Sequence, residues 1–280
     1  MKSSHSGPKR KTYSERLNKK GEPQVQNYKT LGTFSQILHL FNEPWVEELS
    51  VTDVAKALDM VSSKASRMLA TLEREKLFER NQDTGKYRLG AIFFGLGMNF
   101  ASHYPLRKII RPHLELMAKE KGLTASFGII SHHSVIAVDR IENLNIDLIA
   151  HRIGLNIPVH STSIGKILMA HLPLEKQEEI LASASLVKFT EATIVDPAVL
   201  KEKLKLYKAS GFATDEGETH EALNCIAAPI KNSEGEVVAA LNLMAERSRI
   251  SAEELFKNAD YLKEKALFIS RQLGYLYTAH

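Results

Sequence analysis

The stretch from Ser62 to Glu75 has one apolar face and one face of hydroxyl and basic side chains. From Lys64 to Arg88 the chain has seven basic and four acidic residues. Such side chains reach phosphates and base edges, and Arg and Lys combine positive charge with the ability to read guanine. We therefore predict contacts to duplex DNA from Ser62, Ser63, Lys64, Ser66, Arg67, Thr71, Lys86 and Arg88. The alternative on charge alone is an ordinary solvated helix face.

Side chains with catalytic potential occur in the second half of the chain, but they do not form an enzyme motif. Cys225 lies within an apolar run, where a cysteine is more often a small packed side chain than a nucleophile. There is no HExxH, GxSxG or CxxC, and Gly165-Lys166 lacks the other residues of a P-loop. The nearby side chains of metal-ligating type are His160, His220, Asp215 and Glu218. Imidazole and carboxylates suit several metals, but we predict no catalytic residue, no metal site and no cofactor.

A helix predicted to begin near Ser163 is preceded by small hydroxylated residues. Its exposed N–H groups and dipole would be receptive to a carboxylate or phosphate. The same hydroxyls could instead cap the helix's own N–H groups. The residues alone leave these two interpretations equally open.

The elements that must position the basic face form a recognisable order. Phe34, Ile37, Leu38 and Phe41 recur at helical spacing. Ser50 stands three residues before Asp53, a capping-box-like start for a second short helix, and a turn at Asp59 leads into the third. Strand-like runs flank a polar turn that contains Gly85, which predicts a β-hairpin. Residues 30–90 are therefore predicted to form a winged helix-turn-helix DNA-binding domain.

The rest of the chain is predicted to contain a linker and a second domain. The segment from Ala91 to Phe100 is apolar on nearly every side, so we predict that residues 91–103 form a linker helix that meets a second subunit. Residues 104–280 combine helices with antiparallel strands near 126–130, 134–141, 146–150, 224–230 and 236–244. A last helix starts at a capping box of Ser251 and Glu254. The predicted fold class is α+β with two domains.

Composition narrows the class of protein. A length of 280 residues fits two small domains, and 44% hydrophobic with 25% charged residues is typical of globular proteins. The single cysteine excludes a disulfide framework and is typical of a reducing compartment. No apolar run approaches the about 20 residues that cross a bilayer. We expect a cytoplasmic protein with no membrane partner.

The positive charge is concentrated at the N-terminus. Residues 1–29 carry eight Lys or Arg and two acids, a net charge of +6, whereas the whole chain has +4. This segment has no apolar core, so we predict a disordered basic tail and not a signal peptide. It could contact a polyanion or simply remain solvated.

The order of these motifs resembles the IclR family of bacterial transcription regulators from about residue 30 to residue 275. The first group of matching stretches is LSVTDVA at 49–55, RMLATLE at 67–73 and GKYRLG at 85–90. The second group is PVHS at 158–161, Gly165-Lys166, DEGE at 215–218 and CIAAP at 225–229. A helix-turn-helix alone is weak evidence, but the ordered set through both domains is specific.

The resemblance implies a GAF-like α/β effector domain at residues 104–280 that binds a small organic molecule. It also implies homodimers, or homotetramers, on palindromic operators in double-stranded DNA. By position, the implied effector pocket is lined by Ser163, Ile164, Asp215, Leu223, Cys225, Asn242 and Met244. Asn242 and Met244 stand where members that bind small acids have small hydroxylated residues, so the implied pocket has a different shape.

The sequence therefore predicts a sequence-specific transcription regulator, repressor or activator, controlled by an organic-acid or aromatic-acid effector. Two alternatives remain open at this point. One is an enzyme that processes a small acid with Cys225 or His160, and the other is a DNA-binding oligomer without a ligand.

Overall fold

Three helices enclose the small apolar core of the N-terminal domain. This computed structural model describes residues 28–42, 46–131, 134–143, 153–154, 156–183 and 186–276. The three helices are α1 (Lys29–His39), α2 (Val51–Ala57) and α3 (Ser62–Arg74), and a 3-10 turn at Leu40–Asn42 follows α1. The predicted capping box of α2 is present, because Ser50 and Asp53 each accept a hydrogen bond from the other's backbone N–H. Asp59, in the turn before α3, has a φ of 46°, a conformation that Asp tolerates better than most residues.

A two-stranded hairpin completes this domain. Strands β1 (Phe78–Arg80) and β2 (Tyr87–Leu89) pair antiparallel, and Gly85 in their connection has a φ of 68°. A further bridge joins Tyr87 to Leu49, so that the hairpin is tied to the segment before α2. The core beneath the helices and hairpin comprises Ile37, Phe41, Val54, Ala55, Ala65, Leu69, Leu72, Phe78 and Tyr87. The predicted winged helix-turn-helix is confirmed.

Helix α4 (Ala91–His103) follows the hairpin directly and buries none of its residues. Its exposed apolar side chains include Ile92, Phe94, Leu96, Met98 and Phe100. The helix itself is as predicted, and its contact with a second subunit stays a prediction.

The C-terminal domain is built on one antiparallel sheet of six strands in the order β5-β4-β3-β8-β7-β6. The strands are β3 (Thr124–Ser131), β4 (Ser134–Ile141), β5 (Asn156–Pro158), β6 (Ala213–Glu216), β7 (Leu223–Lys231) and β8 (Val237–Glu246). The central strands β3, β8 and β7 are buried over most of their length. Helices cover both faces of the sheet, which is the layered α+β arrangement expected from the sequence.

The helices of this domain pack against the two faces of the sheet and form a large apolar cluster on each face. They are α5 (Pro105–Lys121), α6 (Ser163–His171), α7 (Leu174–Ser183), α8 (Pro197–Ser210), α9 (Ala252–Phe256) and α10 (Ala259–Gln272). One face of the sheet packs against α5, α9 and α10 through residues such as Phe127, Leu241 and Ile269. The opposite face packs against α6 and α8, and we call it the α6 face.

The structure differs from the sequence prediction in three places. Strands β5 and β6 are three and four residues long, too short for a clear alternation of apolar residues, and were not predicted. The last helix is two helices, because α9 ends at Phe256 and α10 begins at Ala259. Helix α1 begins at Lys29, one residue before the predicted domain boundary. The predicted strand at 146–150 and the tail up to residue 27 lie outside the described residues.

Candidate functional sites

Helix α3 presents its polar residues to solvent. Ala65, Leu69 and Leu72 are buried against the core, so the opposite face of the helix points outward. All six predicted DNA contacts on this helix are exposed, namely Ser62, Ser63, Lys64, Ser66, Arg67 and Thr71. Among the described residues, neither Lys64 nor Arg67 forms an ion pair with a carboxylate. Their charges are therefore available to an external anion.

The hairpin of β1 and β2, which is the wing of the domain, carries the other two predicted contacts, Lys86 and Arg88. Lys86 is exposed at the tip of the hairpin. Arg88 is also exposed, but its guanidinium donates to the Glu79 carboxylate across the hairpin at 3.0 and 3.2 Å. The guanidinium beside Glu79 holds the pKa of that carboxyl below its usual range. Arg88 would have to exchange this partner for a phosphate.

The seven residues of the implied effector pocket lie together on the α6 face or at the start of α6. Asp215, Cys225 and Met244 are direct neighbours in one row across β6, β7 and β8. Asn242 lies two residues before Met244 on the same face, and Leu223 lies two residues before Cys225. All seven are buried, and Leu223, Cys225 and Met244 form a separate apolar cluster.

A chain of polar side chains crosses this buried face. The Ser163 hydroxyl donates to the Asn242 side-chain oxygen at 2.9 Å, and the Asn242 amide donates to the Ser126 hydroxyl at 3.1 Å. Burying polar groups costs free energy unless they are hydrogen-bonded. A row of buried polar side chains is therefore unusual for a face whose only role is to pack the core. The structure thus joins the predicted Ser163 and Asn242 directly, and Asn242 extends the row to Ser126, which the sequence analysis missed.

The beginning of α6 is capped by its own chain. The Thr162 hydroxyl accepts a hydrogen bond from the Gly165 N–H at 3.0 Å and donates to the Pro158 carbonyl at 2.7 Å. A side chain at Gly165 would place its β-carbon 2.3 Å from the Val159 carbonyl oxygen. Self-capping is therefore present at this helix start through Thr162, whereas binding of a ligand there stays a prediction.

Beside the α6 start lies a buried group of three charged side chains. Lys166 is fully buried and pairs with Glu218. Asp215 is also fully buried, and its Oδ1 accepts from the backbone N–H of Glu218 at 2.7 Å. Burial raises the pKa of Glu218 to about 7, against the opposing attraction of Lys166. Burial likewise raises the pKa of Asp215.

Two carboxylate oxygens in this group lack a hydrogen-bond partner among the described residues. They are Asp215 Oδ2 and Glu218 Oε2. One ammonium group thus faces two carboxyl groups in the interior, and mutual repulsion of the carboxylates favours keeping a proton on one of them. The sequence analysis placed Lys166 in an incomplete P-loop and in a stretch that matches the family, but no local pattern could have predicted that it pairs with Glu218, 52 positions away.

Cys225 and His160 have environments that suit packing. Burial raises the pKa of the Cys225 thiol well above its usual value, so the nucleophilic thiolate is disfavoured. Burial lowers the pKa of His160, whose Nε2 lies 3.0 Å from the Val187 carbonyl oxygen and whose ring stacks on Phe189. The environment of Cys225 therefore does not activate its thiol for nucleophilic chemistry.

Arg140 is a second buried residue that the sequence analysis did not identify. It lies opposite Ser126 on β4, so it belongs to the same row of the α6 face as Asn242. The residue is 8% exposed, and its guanidinium lies 3.4 Å from the Glu142 carboxylate. The signal for it was a charged pair, Asp139-Arg140, interrupting an apolar strand.

The described residues contain neither a candidate metal cluster nor a helix able to span a membrane. No three His, Cys, Asp or Glu side chains there are placed so that they could hold a metal ion. No helix in that part of the chain is long and apolar enough to span a membrane.

The fold and the exposed basic helix define a class of protein, a transcription regulator with a winged helix-turn-helix and a separate α/β domain. Two family models match the chain: the IclR helix-turn-helix domain at residues 36–82, and the C-terminal domain of the bacterial transcriptional regulator IclR at residues 98–271. The second match alone covers more than half of the chain. The protein belongs to the IclR family of bacterial transcriptional regulators.

Individual relatives agree with this assignment. The HTH-type transcriptional regulator XynR of Escherichia coli K12 is 32% identical over 86% of this chain and 95% of its own. The crystal structure of Thermotoga maritima IclR superposes with a TM-score of 0.63 at 28% identity, over 88% of this chain and 99% of that one. An IclR homolog from Microbacterium hydrocarbonoxydans, crystallised with 4-hydroxybenzoate, gives a TM-score of 0.69 at 25% identity over 87% of this chain and 98% of that one.

Proposed function

We propose that this regulator binds a palindromic operator as a homodimer or a pair of dimers, and that a small organic acid bound at the α6 face controls its affinity for DNA. The effector pocket would be lined by Ser163, Ile164, Asp215, Leu223, Cys225, Asn242 and Met244. A function on bacterial chromosomal DNA would place the protein in the cytoplasm.

The observation that carries effector control is the buried polar row of Ser163, Asn242 and Ser126. These groups occupy an interior face, where apolar residues would give a more stable core. Polar groups that converge beside an apolar wall are typical of small-molecule sites, and Leu223, Cys225 and Met244 supply such a wall. The relative that was crystallised with 4-hydroxybenzoate supports an aromatic or other organic acid as the ligand.

DNA recognition is assigned to α3 and the wing. The N-terminal residues of a recognition helix contact base edges in the major groove, and a dimer reads two half-sites separated by about 34 Å per helical turn. Ser62, Ser63, Lys64, Ser66 and Arg67 lie in the first half of α3 and are exposed. Thr71, Lys86 and Arg88 would contact flanking phosphates.

Control would act as a population shift between two arrangements of the dimer. The effector stabilises one arrangement of the C-terminal domains, and α4 transmits it as a spacing between recognition helices. Because the operator has a fixed half-site spacing, a modest shift changes the affinity for DNA. An effector with equal affinity for both arrangements would change nothing.

The enzyme alternative has less support. A nucleophilic Cys225 would need a lowered thiol pKa, whereas burial raises it. Turnover of a small acid that Cys225→Ser abolishes would favour the enzyme. The alternative of an oligomer without ligand predicts a melting temperature that no small acid raises, because a ligand of the folded state must stabilise it.

The test is fluorescence anisotropy with operator fragments selected from genomic DNA, with and without a panel that contains 4-hydroxybenzoate and small aliphatic acids. Binding should exceed that of a scrambled duplex by a factor of about 10³ or more, and one acid should shift it. Equal affinity for operator and scrambled DNA would contradict the proposal.

Ser163→Trp places the effector site under direct test. The indole would replace the Ser163 hydroxyl that contacts Asn242 and would obstruct the proposed site, so we expect intact operator binding and loss of the effector response. Ser210→Trp, near the surface at the end of α8, is the matched control and should keep the response. If Ser163→Trp melts at the wild-type temperature and still responds fully, the effector binds elsewhere.

A further inference from the structure

The pocket proposed for the effector contains no cation of its own. Its seven lining residues are uncharged apart from Asp215, which is fully buried and contributes an acidic group. Transfer of an ionised carboxylate from water to a protein interior is costly unless a cation or several hydrogen bonds compensate it. A small acid that binds as an anion at the α6 face therefore needs a positively charged side chain close to the pocket.

Two Lys or Arg side chains are buried in the described part of the chain, Lys166 and Arg140. Lys166 pairs with Glu218, and its ammonium group also attracts the carboxylate of Asp215. It already faces two carboxyl groups, so a third would leave all three short of positive charge. Arg140 is therefore the cation that an acidic ligand could use.

The direction of the Arg140 side chain follows from its neighbour in β4. Asp139 is fully buried, and its carboxylate accepts hydrogen bonds from the Arg111 guanidinium of α5 at 2.9 and 3.1 Å. Successive residues of a strand point to opposite faces of the sheet, and α5 packs on the face opposite to α6. Arg140 therefore points to the α6 face, where its side chain is 4% exposed.

Arg140 stands at one end of the buried polar row. Ser126 of β3 is paired with Arg140 on one side and with Asn242 on the other. Neighbouring strands are about 4.8 Å apart, so the backbones at Arg140 and Asn242 are about 10 Å apart. A small organic acid can therefore reach Arg140 with its carboxylate while its other end contacts Ser163 and Asn242.

The positive charge of Arg140 acts on the interior of the proposed pocket. Burial and the Asp215 carboxylate raise the pKa of the Cys225 thiol, whereas the charge of Arg140 opposes this shift. Arg140 also pairs with Glu142 at 3.4 Å, but the Glu142 side chain is 69% exposed. An ion pair with an exposed partner contributes little, so exchange of Glu142 for the carboxylate of a ligand costs little.

We propose that Arg140 binds the carboxylate of the effector and thereby restricts the site to organic acids. The planar guanidinium can donate two parallel hydrogen bonds to one carboxylate, and such charge-assisted pairs are stronger than neutral hydrogen bonds. A neutral analogue of the same shape offers the guanidinium no opposite charge, so it should bind much more weakly. This inference rests on the proposed function in that the effector binds at the α6 face.

Isothermal titration calorimetry tests this assignment with the full-length protein in the absence of DNA. The probes are 4-hydroxybenzoate and the small aliphatic acids of the panel, each compared with its primary amide, which has a similar shape and no charge. Truncation of one partner of a buried, hydrogen-bonded charge pair lowers affinity by about 30-fold or more. We expect Arg140→Gln to lower the affinity for the acid by that factor and the affinity for the amide by less than about threefold.

Two further variants separate the charge of Arg140 from a structural role. Arg140→Lys keeps the charge but loses the planar pair of donors, so its affinity for the acid should lie between those of wild type and Arg140→Gln. Arg271→Gln is the matched control, because Arg271 is exposed on α10, which packs against the other face of the sheet. Its affinity for the acid should equal that of wild type.

Three results would overturn the assignment. They are equal losses for acid and amide in Arg140→Gln, an affinity of Arg140→Lys for the acid no higher than that of Arg140→Gln, and an equal loss in Arg271→Gln. Should Arg140→Gln fail to fold, Arg140→Lys alone decides, because an unchanged affinity for the acid in that variant would overturn the assignment.

The same titrations distinguish this inference from the proposed function. If an acid binds to wild type and to Arg140→Gln with equal affinity, the effector control stands and Arg140 does not bind the carboxylate. If none of the acids binds to wild type, the proposed effector control is wrong, and this inference falls with it.

Discussion

At the scale of single residues, Arg67 is the clearest test of DNA recognition. It lies in the exposed half of α3, and among the described residues it has no carboxylate partner. We expect Arg67→Ala to weaken operator binding by about 10- to 100-fold, the range of one lost base or phosphate contact of about 1–3 kcal/mol. Arg74→Ala, at the C-terminal end of the same helix, is the control, because Arg74 already pairs with Glu75. Unchanged operator affinity for Arg67→Ala would remove α3 from the interface.

The buried Lys166–Glu218 pair predicts a pH dependence of stability. Since the pKa of Glu218 rises from 4.5 to about 7 on folding, the native state binds more protons than the unfolded state between those values. The free energy of unfolding contributed by Glu218 is therefore largest below about pH 4.5 and falls as the pH rises through 7. In Glu218→Gln this dependence should be absent, so the stability difference, wild type minus variant, should decrease from pH 5 to pH 7.

Urea unfolding at a series of pH values measures this difference. The exposed Glu234→Gln, in the turn between β7 and β8, is the control and should give a curve parallel to wild type. Curves for wild type and Glu218→Gln that stay parallel from pH 5 to pH 8 would show that Glu218 is ionised throughout. The charged groups that face it, Lys166, Asp215 and Lys203, are unchanged in both variants.

At the scale of elements, the start of α6 depends on a close backbone approach. A β-carbon at Gly165 would lie within 2.7 Å of three backbone atoms of Val159, which cannot move like a flexible side chain. We expect Gly165→Ala to destabilise the C-terminal domain by about 1–3 kcal/mol or more, the range of overpacked sites. Gly32→Ala in α1 meets nothing within 4 Å and should stabilise by about 0.5–1 kcal/mol. Thermal melts that rank the two variants in the opposite order would contradict this account.

The elements that the sequence predicted are those with a strong local signal. The capping pair Ser50–Asp53 and the N-cap at Ser251 follow from local backbone chemistry and were predicted closely. Strand β5 has only three residues, too few to show a periodicity, and it is defined by its pairing with β4. Tertiary contacts also divide the last helix at 257–258, where the sequence shows one continuous seam.

The candidate site likewise combines residues that the sequence identified with contacts that only the tertiary structure shows. Its residues were placed by a family resemblance, and the structure brings Ser163 and Asn242 into contact across 79 positions of sequence. The Lys166–Glu218 pair was not predicted, because no rule of spacing links a helix residue to a loop 52 positions later. Ser126 and Arg140 lie in one row because of the register between β3 and β4, which no local sequence pattern reveals.

At the scale of the whole molecule, the exposed apolar side chains of α4 support the proposed dimer. Phe94 is 75% exposed and Phe100 is 62% exposed on a helix that buries none of its residues against the described part of the chain. A helix that is apolar on nearly all sides is stable in water only when another surface covers it. We propose a second copy of α4 as that surface, because it would place two recognition helices on one duplex with two-fold symmetry.

This arrangement predicts that Phe94→Glu dissociates the dimer. A charged carboxylate in an apolar interface is left unpaired, so we expect monomers in sedimentation velocity at micromolar concentration. Operator affinity should fall by about 100-fold or more. A dimer binds its second half-site at a high effective concentration, and a monomer loses this gain. Leu174→Glu on α7 replaces a side chain that is equally exposed, at 76%, and should leave both measurements unchanged. If Phe94→Glu remains dimeric with wild-type affinity, a different surface joins the subunits, and α4 cannot carry the effector signal between them.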